Sequence, residues 1–160
     1  MDRIDRILAD EEFRSISIMI KEHEYDRIYC RHSLGHALSV ARIAHIINLE
    51  EGLGIDKELI YGTALLHDMG RYSKYEEEGM SHHEAGALIA REILGRAGFD
   101  EDEINVMCEA IGKHKNYSGE DNSLAALLYR ADKLSRNCFI CEAEPTCYWP
   151  ENIKNKTVIH

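Results

Sequence analysis

No proline interrupts the chain before residue 145, so nothing in its first 144 positions denies the backbone a series of helices. The apolar residues recur at helical spacing. Ile4, Ile7 and Leu8, then Phe13, Ile16 and Ile20, predict helix over 2–24, broken at Asp10, which is placed to cap the second piece. The clearest helix covers 32–51 and stops at Gly52 and Gly54. His32, His36, Val40, Ile43 and Ile47 share one of its faces, so His36 lies on the inward stripe, while His45 lies off it, in solvent. Asp56 caps a helix from Lys57 to about His67, closed by Gly70. Residues 71–81 are polar without an apolar period and predict a loop of the kind that covers a site. Ser81 starts a helix to about Gly95, with Ala85, Leu88, Ile89 and Ile93 inward. Asp100 caps another, through Met107, Cys108 and Ile111 to Gly112 or Lys113. A loop over 114–122 precedes a last strong helix, capped by Ser123 and running to about Asn137, with Leu127, Leu128, Ala131 and Leu134 inward. The tail from Cys138 is irregular. No run alternates for long enough to build a sheet, and no repeat or second domain is visible. The expected fold class is all-α: a single-domain bundle of six to seven helices over residues 1–160, with an irregular C-terminal tail.

A chain of 160 residues fits one core, and 44% hydrophobic content is that of a folded globule rather than a disordered one. The formal net charge of −10 argues against a nucleic acid polymer as main partner, because affinity for one comes largely from neutralising phosphates. A small phosphorylated substrate is still allowed, since a metal and a few local cations can hold it. Residues 1–13 are charged throughout and lack the apolar centre of a signal peptide. No apolar run approaches the ~20 residues that span a bilayer. No membrane partner is expected, and the expected location is cytoplasmic. A homodimer is allowed. The five cysteines are an odd number in a chain too large to depend on disulfides, so reduced thiols are the expectation.

Four inward-facing polar residues stand out. His36 sits mid-helix on an apolar stripe. His67 and Asp68 follow the apolar run Thr63-Ala64-Leu65-Leu66. Asp132 lies among Leu128, Tyr129, Ala131 and Leu134. Each alone is compatible with an ordinary hydrogen-bonded core group. Together, from three helices, they are costly to bury without a shared cation. Two imidazoles and two carboxylates make a hard-to-borderline donor set that suits Mn, Fe, Co, Mg or Zn ions, with open positions for water.

The order His, His-Asp, Asp resembles the HD-domain superfamily of metal-dependent phosphohydrolases. The segment from His36 to Ala44 is similar to its first motif, Ala64 to Arg71 to its second, and Tyr129 to Ser135 to its last, over roughly residues 28–137. The resemblance implies a helical bundle with His36, His67, Asp68 and Asp132 as ligands of a first metal. It also implies hydrolysis of a phosphomonoester or phosphoanhydride of a nucleotide or similar small molecule by metal-activated water. In binuclear branches, histidines at positions matching His82 and His114 bind a second metal bridged by the Asp, so one or two ions per chain are expected. The other reading of these two is an exposed helix start and a helix C-terminus favoured by the dipole. His83 competes with His82, and the spacing to Gly86 favours His82. The Gly-Tyr-Pro signature of the cyclic-dinucleotide enzymes is missing. Two further functions stay open: a non-catalytic sensor that binds metal and nucleotide, and di-iron oxidative chemistry.

Several cations are placed to hold phosphate. They are Arg71 after the His-Asp turn, Lys113 and Lys115 flanking His114, and Lys133 beside Asp132. Asp68, Arg71 and Lys113 are the expected catalytic set, with Arg71, Lys113, Lys133 and His32 as substrate contacts; Lys115 reads as an ordinary surface charge. His32 is either a neighbour of ligand or substrate, or a partly exposed residue at the helix start. Finally, Cys138 and Cys141 form a Cys-x-x-Cys pair that, with Cys30 and Cys147, makes a candidate structural zinc site. Free buried thiols are the alternative.

Overall fold

The computed structural model describes residues 1–115 and 121–160. Among these are eight α-helices: α1 (Asp2–Ala9), α2 (Glu11–His23), α3 (Leu34–Glu50), α4 (Lys57–Leu66), α5 (Lys74–Glu77), α6 (His82–Ala97), α7 (Glu101–Lys113) and α8 (Leu124–Leu134). No strand occurs among the described residues, so the chain is all-α. Three one-turn 3-10 helices, Cys138–Ile140, Glu144–Thr146 and Glu151–Ile153, make up the tail's regular structure. No helix among the described residues is long and apolar enough to cross a membrane.

The helix starts are written locally. Asp10, Ser33, Asp56, Ser81, Asp100 and Ser123 each accept a backbone N–H from the first turn they precede, satisfying donors that a helix cannot pair internally. At α6 and α7 the caps are reciprocal, with Glu84 and Glu103 reaching back. Gly52, Gly54 and Gly98 take the left-handed conformation that stops α3 and α6.

One core joins the bundle. α3 packs on α4 and α8, α7 on α6, α8 and α4, and α1 closes over α4 and α6. Ile7, Leu66, Met107, Ile111 and Leu127 are fully buried where these helices meet. Side chains of this kind contribute about 1.5–3 kcal/mol each on burial. Arg3 ties three helices at the rim, bonding Glu58 of α4 (2.6 Å) and Glu103 of α7 (2.6 Å) while lying over Phe99 at 4.1 Å.

Several expectations need correction. The stretch 71–81 is not all loop: Ser73 caps the one-turn α5, a polar turn with no apolar stripe to betray it. Leu88 points outward at 48% exposed, because the inward arc of α6 runs through Ala85, Ile89 and Ile93. α8 ends at Leu134 rather than about Asn137. His32 precedes the Ser33 cap and is outside α3. His45 is half-buried, with its ring 6.1 Å from that of Tyr61, not in open solvent. Of the loop expected over 114–122, residues 116–120 lie outside the described residues.

Candidate metal centre

The end of α4 sets the centre. The chain leaves the helix at His67 and turns twice, with Met69 N–H donating to Leu66 O (3.1 Å) and Arg71 N–H to Asp68 O (3.1 Å). Gly70 then passes against the start of α6 so closely that a Cβ there would sit 1.9 Å from His82 O and 2.4 Å from Gly86 N. This contact brings His82 alongside the His-Asp turn. His36 arrives from α3, Asp132 from α8 and His114 from the end of α7.

Two groups of donor atoms result, each with its members within 4.8 Å of one another: His36, His67 and Asp132, and then Asp68, His82 and His114. Asp68 reaches into both. Its Oδ2 lies 3.0 Å from His67 Nε2 and 3.7 Å from His36 Nε2, and its Oδ1 lies 4.0 Å from His114 Nε2. Asp132 Oδ1 stands 3.3 Å from His36 Nε2.

The hydrogen bonds fix which imidazole nitrogens carry protons. His67 Nδ1 donates to Ala64 O at 2.6 Å, and His114 Nδ1 to Ile111 O at 2.7 Å. Ser135 Oγ gives its one proton to Asp132 O (2.8 Å), so it can only accept from His36 Nδ1 at 3.3 Å. In all three rings Nε2 is thereby the atom turned toward the carboxylates, free to hold either a proton or a metal ion. The Nε2 atoms of His36, His67 and His82 are buried without a hydrogen-bond partner. Lone pairs facing anions in a buried site repel unless a cation lies between them. Outward Nδ1–H bonds to carbonyls are also how metal-ligating histidines are oriented. The donor set therefore fits a divalent ion.

The protonation equilibria agree. Burial lowers His82 to about 3, with Arg71 adding to the effect, and lowers His114 to about 4. Both rings are therefore neutral at pH 7, the form in which an imidazole can bind a metal. Burial also opposes charge on His67, but Asp68 and Asp132 override it and carry that ring up to about 9. Burial works against ionised Asp68 and Asp132, yet His67 and Arg71 hold Asp68, and His36, His67 and Lys133 hold Asp132, well below the usual carboxylate range. A proton on His67 thus sits where the donor group could otherwise hold an ion. Loading an ion should displace it, so Mn²⁺ affinity is expected to tighten by about tenfold per pH unit below about pH 9 and to level off above. Calorimetric titration in buffers of different ionisation enthalpy should count about one proton released. An affinity that does not change with pH would refute this assignment.

The flanking residues divide. Arg71 Nε donates to Asp68 Oδ1 at 2.8 Å, and Lys133 Nζ to Asp132 Oδ2 at 2.9 Å, so both cations stand at the centre. Lys113 does not join them: it pairs with exposed Glu109 one turn back and lines a crevice with Val106 and Ser123. The geometry therefore corrects the expectation of Lys113 as a phosphate contact, because neighbouring residues on a helix point about 100° apart. His83 is half-buried, with Nε2 at Ser81 Oγ (3.2 Å), while the buried His82 shares the second group.

Two residues of the centre went unread in the sequence. Buried Glu24, 2% exposed, accepts His32 N–H (2.6 Å) and His32 Nδ1–H (2.8 Å), and so pins His32 beside His36 with ring centroids 5.7 Å apart. Nothing in the pattern around Glu24 marks it. Arg136 stacks on Trp149 at 3.5 Å, has Nη2 3.8 Å from Asp132 Oδ2, and keeps Nη1 without a partner. Its position four residues beyond Asp132 was the available signal. His32, His36, Ser135 and Arg136 line a cavity of about 390 Å³.

Residues 33–137 match the HD domain family. An uncharacterized protein of Clostridium beijerinckii is 44% identical over 155 residues, 97% of both chains. Ribonuclease Y of Mycoplasma capricolum is 31% identical over 117 residues, 73% of this chain and 21% of that enzyme. Ribonuclease Y of Fervidobacterium nodosum is 36% identical over 107 residues, 67% of this chain and 19% of its own. The chain thus spans about a fifth of the length of these ribonucleases. No solved structure matches it.

Proposed function

From the premise that this chain belongs to the HD domain family, whose superfamily is one of metal-dependent phosphohydrolases, we propose that it hydrolyses a phosphate ester or anhydride of a small, nucleotide-like substrate at a two-ion centre. The observation that carries this reading is Asp68, a carboxylate shared between two groups of donors whose imidazole lone pairs converge on it. His36, His67, Asp68 and Asp132 would hold one ion, and Asp68, His82 and His114 the other. Divalent ions at such a site supply Lewis acidity toward phosphoryl oxygens and make a nucleophile available near neutral pH.

The chain's own residues do the rest. Arg71 stands on Asp68 Oδ1 and Lys133 on Asp132 Oδ2, where they hold those carboxylates ionised and supply positive charge for a phosphate at the centre. Arg136, backed by Trp149, lines the cavity and keeps a buried Nη1 without a hydrogen-bond partner. His32 is fixed by Glu24 at the same wall. A cavity of about 390 Å³ suits a small molecule.

A phosphodiester of RNA is the second reading, favoured by the likeness to ribonuclease Y and opposed by the net charge of −10. One assay separates the cases. The protein is stripped with a chelator, reloaded with Mn²⁺ or Fe²⁺, and tested on an aryl phosphate, a set of nucleotides and a short single-stranded RNA. Turnover of small phosphates that disappears on stripping and returns on reloading is the expected result. Cleavage of RNA alone would favour the second reading. Nucleotide binding without turnover in the loaded protein would mark a sensor and end the hydrolase proposal.

A further inference from the structure

Beyond Ser135 no residue of the chain is buried. Phe139, Ile140, Tyr148 and Ile153 are all exposed. A segment of this kind does not fold on apolar burial, and small folded units without a core are held by a staple such as a disulfide or a metal. The polar ties present are peripheral: Asn155 Nδ2 donates to Lys133 O (2.8 Å) and Arg136 O (2.9 Å), and Lys154 pairs with Glu144 (3.0 Å).

One tie reaches across the chain. Tyr29 Oη donates to Thr146 O at 3.0 Å and lies 3.1 Å from Thr146 Oγ1, and the Tyr29 ring meets that of Tyr148 edge-on. The next residues along, Cys30 and Cys147, are thereby neighbours although far apart in sequence. Cys138 and Cys141 stand at the two ends of a single 3-10 turn closed by Cys141 N–H on Cys138 O (3.3 Å). Cys30, Cys138 and Cys141 line the same 390 Å³ cavity as His36. Cys30 itself is held at φ +26°, a backbone region that a side chain rarely adopts, with Arg27 Nε donating to Tyr29 O (2.8 Å) and Cys30 O (3.2 Å). Arg136 lines the same cavity. Cys30, Cys138 and Cys141 thus share one cavity wall, and the Tyr29–Thr146 bond brings the backbone at Cys147 to that at Cys30.

We propose that Cys30, Cys138, Cys141 and Cys147 bind one zinc ion, which staples the C-terminal segment to the start of α3 and so builds one wall of the cavity that His36 lines. Cys-x₂-Cys-x₅-Cys on one segment and a fourth thiol from elsewhere is a donor set for tetrahedral zinc. Binding exchanges thiol protons for the ion, leaving a tetrathiolate whose negative charge Arg136 is placed to offset. No three of these sulfurs yet lie within 4.8 Å of one another, so loading draws them together. The exposed one-turn helices that carry them have no packed core to resist that movement.

The test keeps this site separate from the two-ion centre. A His67→Ala/Asp68→Asn variant, purified under reducing conditions without added metal, is expected to retain one zinc per chain by elemental analysis. Cobalt substitution should give it a thiolate-to-metal charge-transfer band. A mercurial reagent should release the zinc, and protease should then cut within 138–160. Cys138→Ser and Cys141→Ser should each lose the band. The wild-type protein supplies a control independent of variant folding: its tail thiols should resist a thiol reagent until the zinc is removed. Wild-type protein that carries no zinc as purified under reducing conditions and has freely reactive tail thiols, or a disulfide within this set, would overturn the proposal.

Discussion

Asp68→Asn is expected to lower kcat/KM on any substrate the protein turns over by about 10³-fold or more, the equivalent of the several kcal/mol that bound metal supplies. The substitution keeps the shape of the side chain and removes the charge that both donor groups share. Metal binding should fall in both groups together, because among the described residues no other carboxylate is paired with both His114 and His67. A second readout needs no substrate. In the metal-free protein, His67 owes its high pKa to Asp68 and Asp132 acting against burial, so losing Asp68 should bring its titration down from about 9. Proton-detected NMR of the imidazole would follow it. Activity within about tenfold of wild type, with both ions still bound, would remove Asp68 from the centre of the mechanism.

Gly70→Ala is expected to be the most damaging single methyl in the bundle. Its Cβ would fall 1.9 Å from His82 O and 2.4 Å from Gly86 N, and both are backbone atoms that no rotamer change can clear. The start of α6 would have to move, at a loss of about 3 kcal/mol or more in urea unfolding. His82 moves with it, so ligation in the second group should weaken even in molecules that fold. Gly62 is the matched comparison: its Cβ would meet Met107 Cε at 2.6 Å, the free end of a flexible side chain. Gly62→Ala should cost less than about 1.5 kcal/mol, with helix propensity offsetting part of the strain. Similar stabilities for the two variants would show that α6 is not wedged on Gly70.

Gly70 also shows how far local pattern goes. In the sequence it reads as a helix stop after His-Asp. In the fold its φ is ordinary for any residue, and its need for hydrogen in place of a side chain comes from α6, a neighbour that no local rule can see. α5 was hidden for a different reason: a single polar turn capped by Ser73 carries no apolar period. Leu88 and His45 sit in environments other than spacing predicts, because a stripe read from spacing alone has an uncertain width. Lys113 turns to Glu109 and not to the centre, because adjacency to His114 in sequence is not adjacency on a helix.

The sequence by itself determined the helices and the chemistry they carry. Caps at Asp10, Ser33, Asp56, Ser81, Asp100 and Ser123, apolar spacing, and the rarity of inward His and Asp are properties of short stretches, and short-range physics is legible in one dimension. Tertiary structure alone decided that Asp68 stands between two donor groups, that Glu24 fixes His32, that Arg136 stacks on Trp149 beside Asp132, and that Cys30 meets the tail. Each of these is a distance between segments far apart along the chain, set by how whole helices pack and not by the residues on either side.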